Sequence, residues 1–258
     1  LFDELYGLGE IGVIVLFSTV AVACFVAAPY LGRKLGWTVP NKDRADYIIR
    51  AQSTLITVTG IVLAFSLVQA QGNLRQAEEL VAKEASTLNT LDRLLLRYGD
   101  QAAALRPLLW TYTTSVIEDE WPALRDGQRS PDTGLKLAPL SRAVFQLDPQ
   151  PGRQVTIYGE MIKSIDEIVD EREQRVSTAN LQLHSEFWLV TFLLGLILVA
   201  LSTVIEAVAY HTLSIAAQGL ALALLAALVF CSDGPFKGNI SVSPAPIIKV
   251  LAIMKART

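Results

Sequence analysis

The sequence predicts an all-α membrane protein with four transmembrane helices and a helical extramembrane insert between the second and third. Three observations predict it. Apolar residues make up 52% of the chain and charged ones only 18%, where soluble domains carry about 25% charge. The apolar residues gather into four runs, each close to the ~20 residues a helix needs to cross a ~30 Å hydrocarbon core. The polar stretch between the second and third runs has helical spacing and no strand-like alternation of useful length. Disordered and disulfide-rich classes are excluded by the same composition. Cys24 and Cys231 lie in or at the end of apolar runs and form neither a disulfide framework nor a metal spacing. Two histidines, His184 and His211, are too few and too isolated for most metal or triad chemistry. A net charge of −3 argues against nucleic acid as a partner. With no nucleophile elbow, P-loop, Rossmann glycine pattern or zinc signature, the chain is expected to be no enzyme and to hold no cofactor or metal.

The elements follow in order. The first span, residues 11–31, carries no charge; Asp3, Glu4 and Glu10 precede it, and Arg33 and Lys34 follow. That is the reverse of a signal peptide, and the stretch is too long for one, so it reads as a retained span. The second span, residues 48–68, has Arg50 as its only charge. Residues 1–69 thus hold the first two spans. The insert, residues 70–186, carries 13 basic and 18 acidic residues, so it lies outside the membrane. Leu74, Ala77, Val81, Leu88, Leu91, Leu95 and Tyr98 follow 3–4 spacing with no Pro or Gly between Asn73 and Arg97. The second span is therefore expected to continue as one helix from about residue 48 to 98, roughly 75 Å at 1.5 Å per residue.

Pro107 suits a helix first turn, leading a helix to about Glu120 that Trp121-Pro122 ends. A loop over residues 127–134, a helix over 135–147 and a breaker at 148–152 follow. From Gln154 the pattern Val155, Tyr158, Ile162, Ile165, Val169 runs into the third span without a breaker. Residues 187–231 hold the last two spans, 187–210 and 213–231, joined by a tight turn at His211-Thr212; Glu206 is the only charge in the pair. A tail, residues 232–258, closes the chain.

On a helical wheel the second span has two faces. Leu55, Val58, Ile61, Val62 and Phe65 fall on one; Gln52, Thr59, Gly60 and Ser66 fall on the other, with Ile56, Leu63 and Leu67 between them. Polar side chains within a membrane face protein or water. Helix packing accounts for Ser, Thr and Gly there. A water path accounts for polar rings alternating with Leu and Ile rings, which suit a dewetting constriction. On the second account Gln52, Ile56, Thr59, Gly60, Leu63, Ser66 and Leu67 line a pore, and Ile56, Leu63 and Leu67 form its gate. Glu206 is expected to pair with Arg50 as a structural ion pair, with Arg33 or Lys34 as other partners. Arg172, Arg175, Glu171 and Glu173 form a dense charge run, read as a solvated face. Tyr112, Glu118, Asp119, Glu120 and Trp121 form an acidic-aromatic cluster, read as a solvated acidic end with Trp121 capping the insert's core.

Asp233 at the exit of the fourth span, followed by Gly234-Pro235-Phe236, is expected to clasp the tail. Its carboxylate would take hydrogen bonds from turn amides or pair with a base of the insert. One carboxylate is too few for a calcium cage of six to eight oxygens. Phe236 shares the clasp, residues 241–246 run on as an extended strap, and residues 247–254 form a helix.

These residues resemble a known family. The second span ends Gly60-Ile-Val-Leu-Ala-Phe65, followed by Gln71 and Glu84-Ala85; the insert has Tyr112 and Glu120-Trp121; the tail reads Asp233-Gly-Pro-Phe236-Lys-Gly238 and Ser241-Val-Ser-Pro244. Their order and spacing resemble the bacterial bestrophin-like family over nearly the whole chain. Bestrophins are pentameric chloride channels with four spans per subunit, second spans lining the pore, and a cytosolic insert and termini. The resemblance implies a homopentameric, anion-conducting channel in a bacterial inner membrane, with lipid, further copies of itself and small inorganic ions as partners. There are departures. Ile56, Leu63 and Leu67 stand where bestrophin necks carry aromatic rings, and Asp233 alone stands where animal members carry an acidic calcium-binding run, so the resemblance does not extend to calcium gating.

For orientation, Arg33, Lys34, Lys42 and Arg44 lie on one side. Arg75, Lys83, Arg172, Arg175, Lys237, Lys249, Lys255 and Arg257 lie on the other. The first helix alone argues for an external N-terminus and the larger total for a cytoplasmic insert; the resemblance decides for the cytoplasmic insert. A non-conducting scaffold or sensor, whose insert binds a partner, is the alternative; it requires the polar face of the second span to be packed against other helices.

Overall fold

The computed structural model describes residues 9–37, 42–238 and 240–257; Asp3, Glu4 and the side chains of Lys42 and Arg44 lie outside the described residues. The described residues form α1 (Gly9–Lys34), α2 (Lys42–Tyr98), α3 (Asp100–Ala103), α4 (Arg106–Ser115), a π-helical turn (Val116–Glu120), α5 (Trp121–Arg125), α6 (Pro131–Phe145), α7 (Arg153–Thr178), α8 (Ser185–Ser202), α9 (Ala209–Ser232) and α10 (Ala245–Ala256). Four of these, α1, α2, α8 and α9, are long and apolar enough to cross a membrane. No strand occurs among the described residues.

Two compact units divide the chain. The first holds residues up to 72, 182–233 and 238–240. Here α1 packs along α9, with Val13, Ala227, Phe230 and Cys231 at one place. Phe25, Leu198, Ile205 and Ile215 form a second core, joined by Ile48, Leu55 and Ile56 of α2. Small residues set the approach, as is usual between helices in lipid. A Cβ on Gly219 would lie 2.3 Å from the Phe25 ring, and one on Gly32 would lie 1.6 Å from the carbonyl oxygen of Thr203. Gln52 Nε2 donates to Ser202 Oγ at 2.9 Å, tying α2 to α8.

The second unit holds residues 73–181, 234–237 and 241–258. Ala77, Val81, Leu88, Leu91 and Leu95 of α2 recur three or four residues apart, so they share one stripe. The stripe packs with Leu109, Tyr112, Val116, Met161, Ile165 and Ile168. Phe236, Val242, Ile247 and Met254 of the tail enter the same core.

Four boundaries differ from the sequence reading. Pro122 does not end a helix; it sits in the first turn of α5, where its missing N–H costs nothing. The helix after the loop starts at Pro131, capped by Ser130, so Gly134 is helical; its missing Cβ leaves room for the Arg172 guanidinium, 3.2 Å from where that Cβ would be. The insert's last helix does not run into the third span. It stops at Thr178, and α8 begins at Ser185, because the Leu183 N–H between them donates to the Asp233 carboxylate at 2.7 Å. Finally, α8 ends at Ser202, and His211 and Thr212 lie inside α9. Thr203, Val204 and Ile205 are β-branched and poor helix formers, and the Thr203 hydroxyl donates to the Ala200 carbonyl as the helix closes.

The glycine contacts give a test. Gly32→Ala should lower the thermal midpoint of the detergent-solubilised protein by the equivalent of ~1–3 kcal/mol or more, since its methyl meets backbone. Gly195→Ala meets nothing within 4 Å and should leave the midpoint unchanged or raise it.

Candidate functional site

The membrane-spanning part of α2 is the first candidate. Of the seven residues expected along a pore, the structure covers Gln52, Thr59 and Leu63 with the chain itself, at 3%, 3% and 1% exposure. Ile56, Gly60, Ser66 and Leu67 are half-buried, and Ile56 packs in the core with Phe25. Gln52 is held by Ser202 of α8. Thr59 donates to the Leu55 carbonyl of its own helix at 2.7 Å. The covered stripe runs on through Ala70 and Ala77, at the 3.6-residue period.

The opposite stripe of α2 is uncovered. Arg50, Thr54, Thr57, Ile61, Ala64, Phe65, Val68 and Arg75 are all exposed. The hydroxyls of Ser53, Thr54 and Thr57 donate to the carbonyls of Ile49, Arg50 and Ser53. Their protons are thereby tied to the backbone, and their oxygens face outward as acceptors. No acidic or basic residue occurs between Arg50 and Arg75.

Glu206 is not in a span. It lies in the 203–208 connection, exposed, and among the described residues it makes no ion pair with Arg50. The shortened α8 is the reason: with the helix ended at Ser202, the carboxylate reaches water and needs no counter-ion.

Asp233 and Phe236 hold different neighbours. Asp233 is buried at the end of α9. It accepts the Leu183 N–H at 2.7 Å and the Trp188 indole N–H at 3.3 Å, so it anchors the start of α8. After it Gly234 takes φ 117°, a conformation that favours glycine. Phe236 is buried edge-on to Trp121, with ring centroids 5.5 Å apart. The Trp121 indole donates to the Val242 carbonyl at 3.3 Å, and Val242 N donates to the Pro235 carbonyl at 2.8 Å. The strap is thereby fastened to the insert.

The charge run expected on a solvated face is instead divided. Glu173, Glu118 and Asp119 are exposed. A Lys136 hydrogen bond, and then one from Ser115, holds the Asp119 carboxyl below its usual range. Glu84, Glu120, Arg172 and Arg175 are buried in the insert's core. Arg175 donates to Glu84 through Nε at 2.6 Å and to Glu120 through Nη2 at 2.7 Å. Arg172 also pairs with Glu120 and donates to the Ser130 carbonyl at 3.1 Å. The Arg175 guanidinium lies 5.4 Å from the Trp121 ring centre. Burial alone would lower its pKa, but the Glu84 and Glu120 carboxylates hold it above the ordinary value. Burial, and then the Glu84 charge, push the Tyr112 phenol well above its usual range.

A second buried cluster seats the tail helix. Arg106 Nε donates to Asp92 at 2.8 Å and Nη2 to the Met254 carbonyl at 2.6 Å. Arg257 donates to Asp92 at 3.0 Å and to Asn89 at 2.7 Å. A cation at the last carbonyls of α10 also complements the helix dipole. Both clusters escaped the sequence reading, although the phase was visible: Ile165, Ile168, Arg172 and Arg175 fall on one stripe of α7, as do Val81, Glu84 and Leu88 on α2. Among the described residues no group of three or more His, Cys, Asp or Glu is placed to hold a metal ion.

Comparison with known proteins follows the same lines. The family model of the bestrophin-like domain matches residues 47–247. No curated protein matches the chain by sequence. Solved structures do match in fold. A bacterial bestrophin homologue from Klebsiella pneumoniae superposes with a TM-score of 0.68 at 15% identity, covering 94% of this chain and 98% of that one. A single-substitution variant of that homologue gives 0.71 at 16% identity, covering 94% and 99%. A variant described as a membrane protein gives 0.71 at 16%, covering 94% and 98%.

Two substitutions test the buried contacts. Arg175→Met strands the Glu84 carboxylate and leaves Glu120 to Arg172 alone, and should cost ~3–5 kcal/mol in unfolding experiments; adding Glu84→Gln should recover part of the loss. Asp233→Ala should cost ~1–3 kcal/mol by leaving the Leu183 amide unpaired, while Asp233→Asn, which keeps an acceptor oxygen, should cost less.

Proposed function

The chain belongs to the bestrophin-like family, and from that premise we propose that it is an ion channel whose axial pore is lined by α2 in a homopentamer. Bestrophins are ion channels, and the four membrane helices and the fold agree with that assignment. One observation of this chain carries the choice of pore face: the stripe Gln52-Thr59-Leu63-Ala70 is covered by the subunit itself, and the stripe opposite is not. The pore face is therefore Thr54, Thr57, Ile61, Ala64, Phe65 and Val68, not the polar face marked out from the sequence. Hydroxyl oxygens of Thr54 and Thr57 begin it, and Ile61, Phe65 and Val68 supply the apolar rings of a dewetting constriction. The gate moves accordingly from Ile56, Leu63 and Leu67 to Ile61 and Phe65.

The proposed ion is an anion. Arg50 and Arg75 are seven helical turns apart on the uncovered stripe, with no charge between them. In a ring of copies each becomes a circle of positive charge, the arrangement that favours anions in a pore. We place the protein in a bacterial inner membrane with the insert and both termini in the cytoplasm, following the basic residues near the membrane ends on that side.

Liposome flux of the purified protein tests the reading. Ile61→Ser should raise chloride flux several-fold by wetting the constriction. Leu63→Ser should lower thermal stability and leave flux per assembled protein unchanged; a rise in flux from Leu63→Ser alone would return the pore to the covered face. Arg75→Gln should move the reversal potential in a salt gradient toward that of potassium. A protein that assembles and passes no ion under any condition is the scaffold of the alternative reading.

A further inference from the structure

Glu171 stands apart from the four paired charges of the insert's core. Its side chain on α7 is 1% exposed. One oxygen accepts the Thr87 hydroxyl of α2 at 3.0 Å and lies 3.5 Å from Lys83 Nζ. The other oxygen is buried and has no hydrogen-bond partner. Lys83 is its ion-pair partner among the described residues, and a weak one. Lys83 on α2 is 63% exposed, so water screens most of its attraction. Glu84, also on α2, repels it. On its own helix Arg175 donates through Nε and Nη2 to Glu84 and Glu120 and leaves Nη1 buried without a partner, and Arg172 pairs with Glu120. Glu120 of the π turn adds another negative charge to this cluster.

An ionised carboxylate with one bare oxygen in such a place is costly, and the neutral acid much less so. Burial accordingly pushes the Glu171 carboxyl above its usual range, with the Thr87 hydrogen bond and Lys83 holding it back in part. We propose that Glu171, with one oxygen on the Thr87 hydroxyl and the other buried and bare, is a proton-responsive switch whose loss of a proton loosens the contact of α7 with α2. Because the folded chain holds this proton to higher pH than the unfolded chain, the stability it contributes is complete below the ordinary carboxylate pKa. It is lost as the pH rises through the folded value. Other carboxylates of the insert have the opposite trend, so the signature is a difference between two proteins, not the pH profile of one. The same α2 carries the proposed pore stripe, so the switch would make ion flux follow the pH on the insert's side; that consequence alone rests on the channel reading.

Glu171→Gln, which keeps the Thr87 contact and removes the titration, provides the test. Unfolding midpoints of the two proteins should coincide near about pH 4. The variant should lead by about 2–4 °C near about pH 7.5. A variant less stable than the wild type near neutrality, or a difference that does not change with pH, overturns the switch. In liposomes the wild type's flux should change several-fold over the same interval and the variant's should stay flat. Active wild-type protein with pH-independent flux overturns the coupling to α2. If neither protein conducts, the channel reading fails and the unfolding comparison still decides the switch.

Discussion

The extramembrane unit depends on Arg175. Its guanidinium is fully buried and its fork points two ways, to Glu84 on α2 and to Glu120 at the end of the π turn. It also lies near the Trp121 ring, and Trp121 in turn holds Phe236 and the Val242 carbonyl of the tail. Apolar residues of the same volume would stabilise such a core as well or better. The fork contributes register instead: a slip of α7 by one turn along α2 would strand two carboxylates, which apolar contacts would not resist. The position of the strap is therefore set through a chain of contacts that starts at one side chain.

How much of this was legible follows from where each signal lies. The single helix from span to insert could be read because α2 carries an unbroken 3–4 apolar pattern over Leu74 to Leu95 and no proline. The interruption at residues 179–184 could not, because it is made by Asp233, 50 residues further along the chain. The end of α8 was hidden in an apolar run whose hydropathy does not change where its helix propensity does, at Thr203-Val204-Ile205. The covering of the polar face of α2 by the chain itself was hidden for a different reason. Polar groups such as Gln52 and Thr59 announce a neighbour other than lipid, and the sequence does not say whether that neighbour is water or Ser202.

A consequence is a division of labour around α2. The polar atoms of the covered stripe are spent on intramolecular contacts, Gln52 to Ser202 and Thr59 to its own backbone. The uncovered stripe has its hydroxyl protons tied inward and its oxygens outward, which leaves a surface that is polar near Thr54 and Thr57 and apolar near Ile61 and Phe65. In the second unit the covered stripe of the same helix changes character, from alanine and leucine contacts to the carboxylates Glu84 and Asp92. One helix thus meets three environments without a break in its backbone hydrogen bonding.

The π turn at Val116–Glu120 has a bearing on how such chains can diverge. A π turn holds one residue more than the α-helical turn it replaces, and this one delivers Glu120 to Arg175 and Arg172. Removing a single residue from it would restore a regular helix and rotate Trp121 and all that follows by about 100°. Glu120 would leave its two arginines, and the indole that fastens the strap would turn away with it. Insertions and deletions in related sequences should therefore gather in the 126–130 and 146–152 loops and avoid these five positions, although nothing in their side chains alone marks them as special.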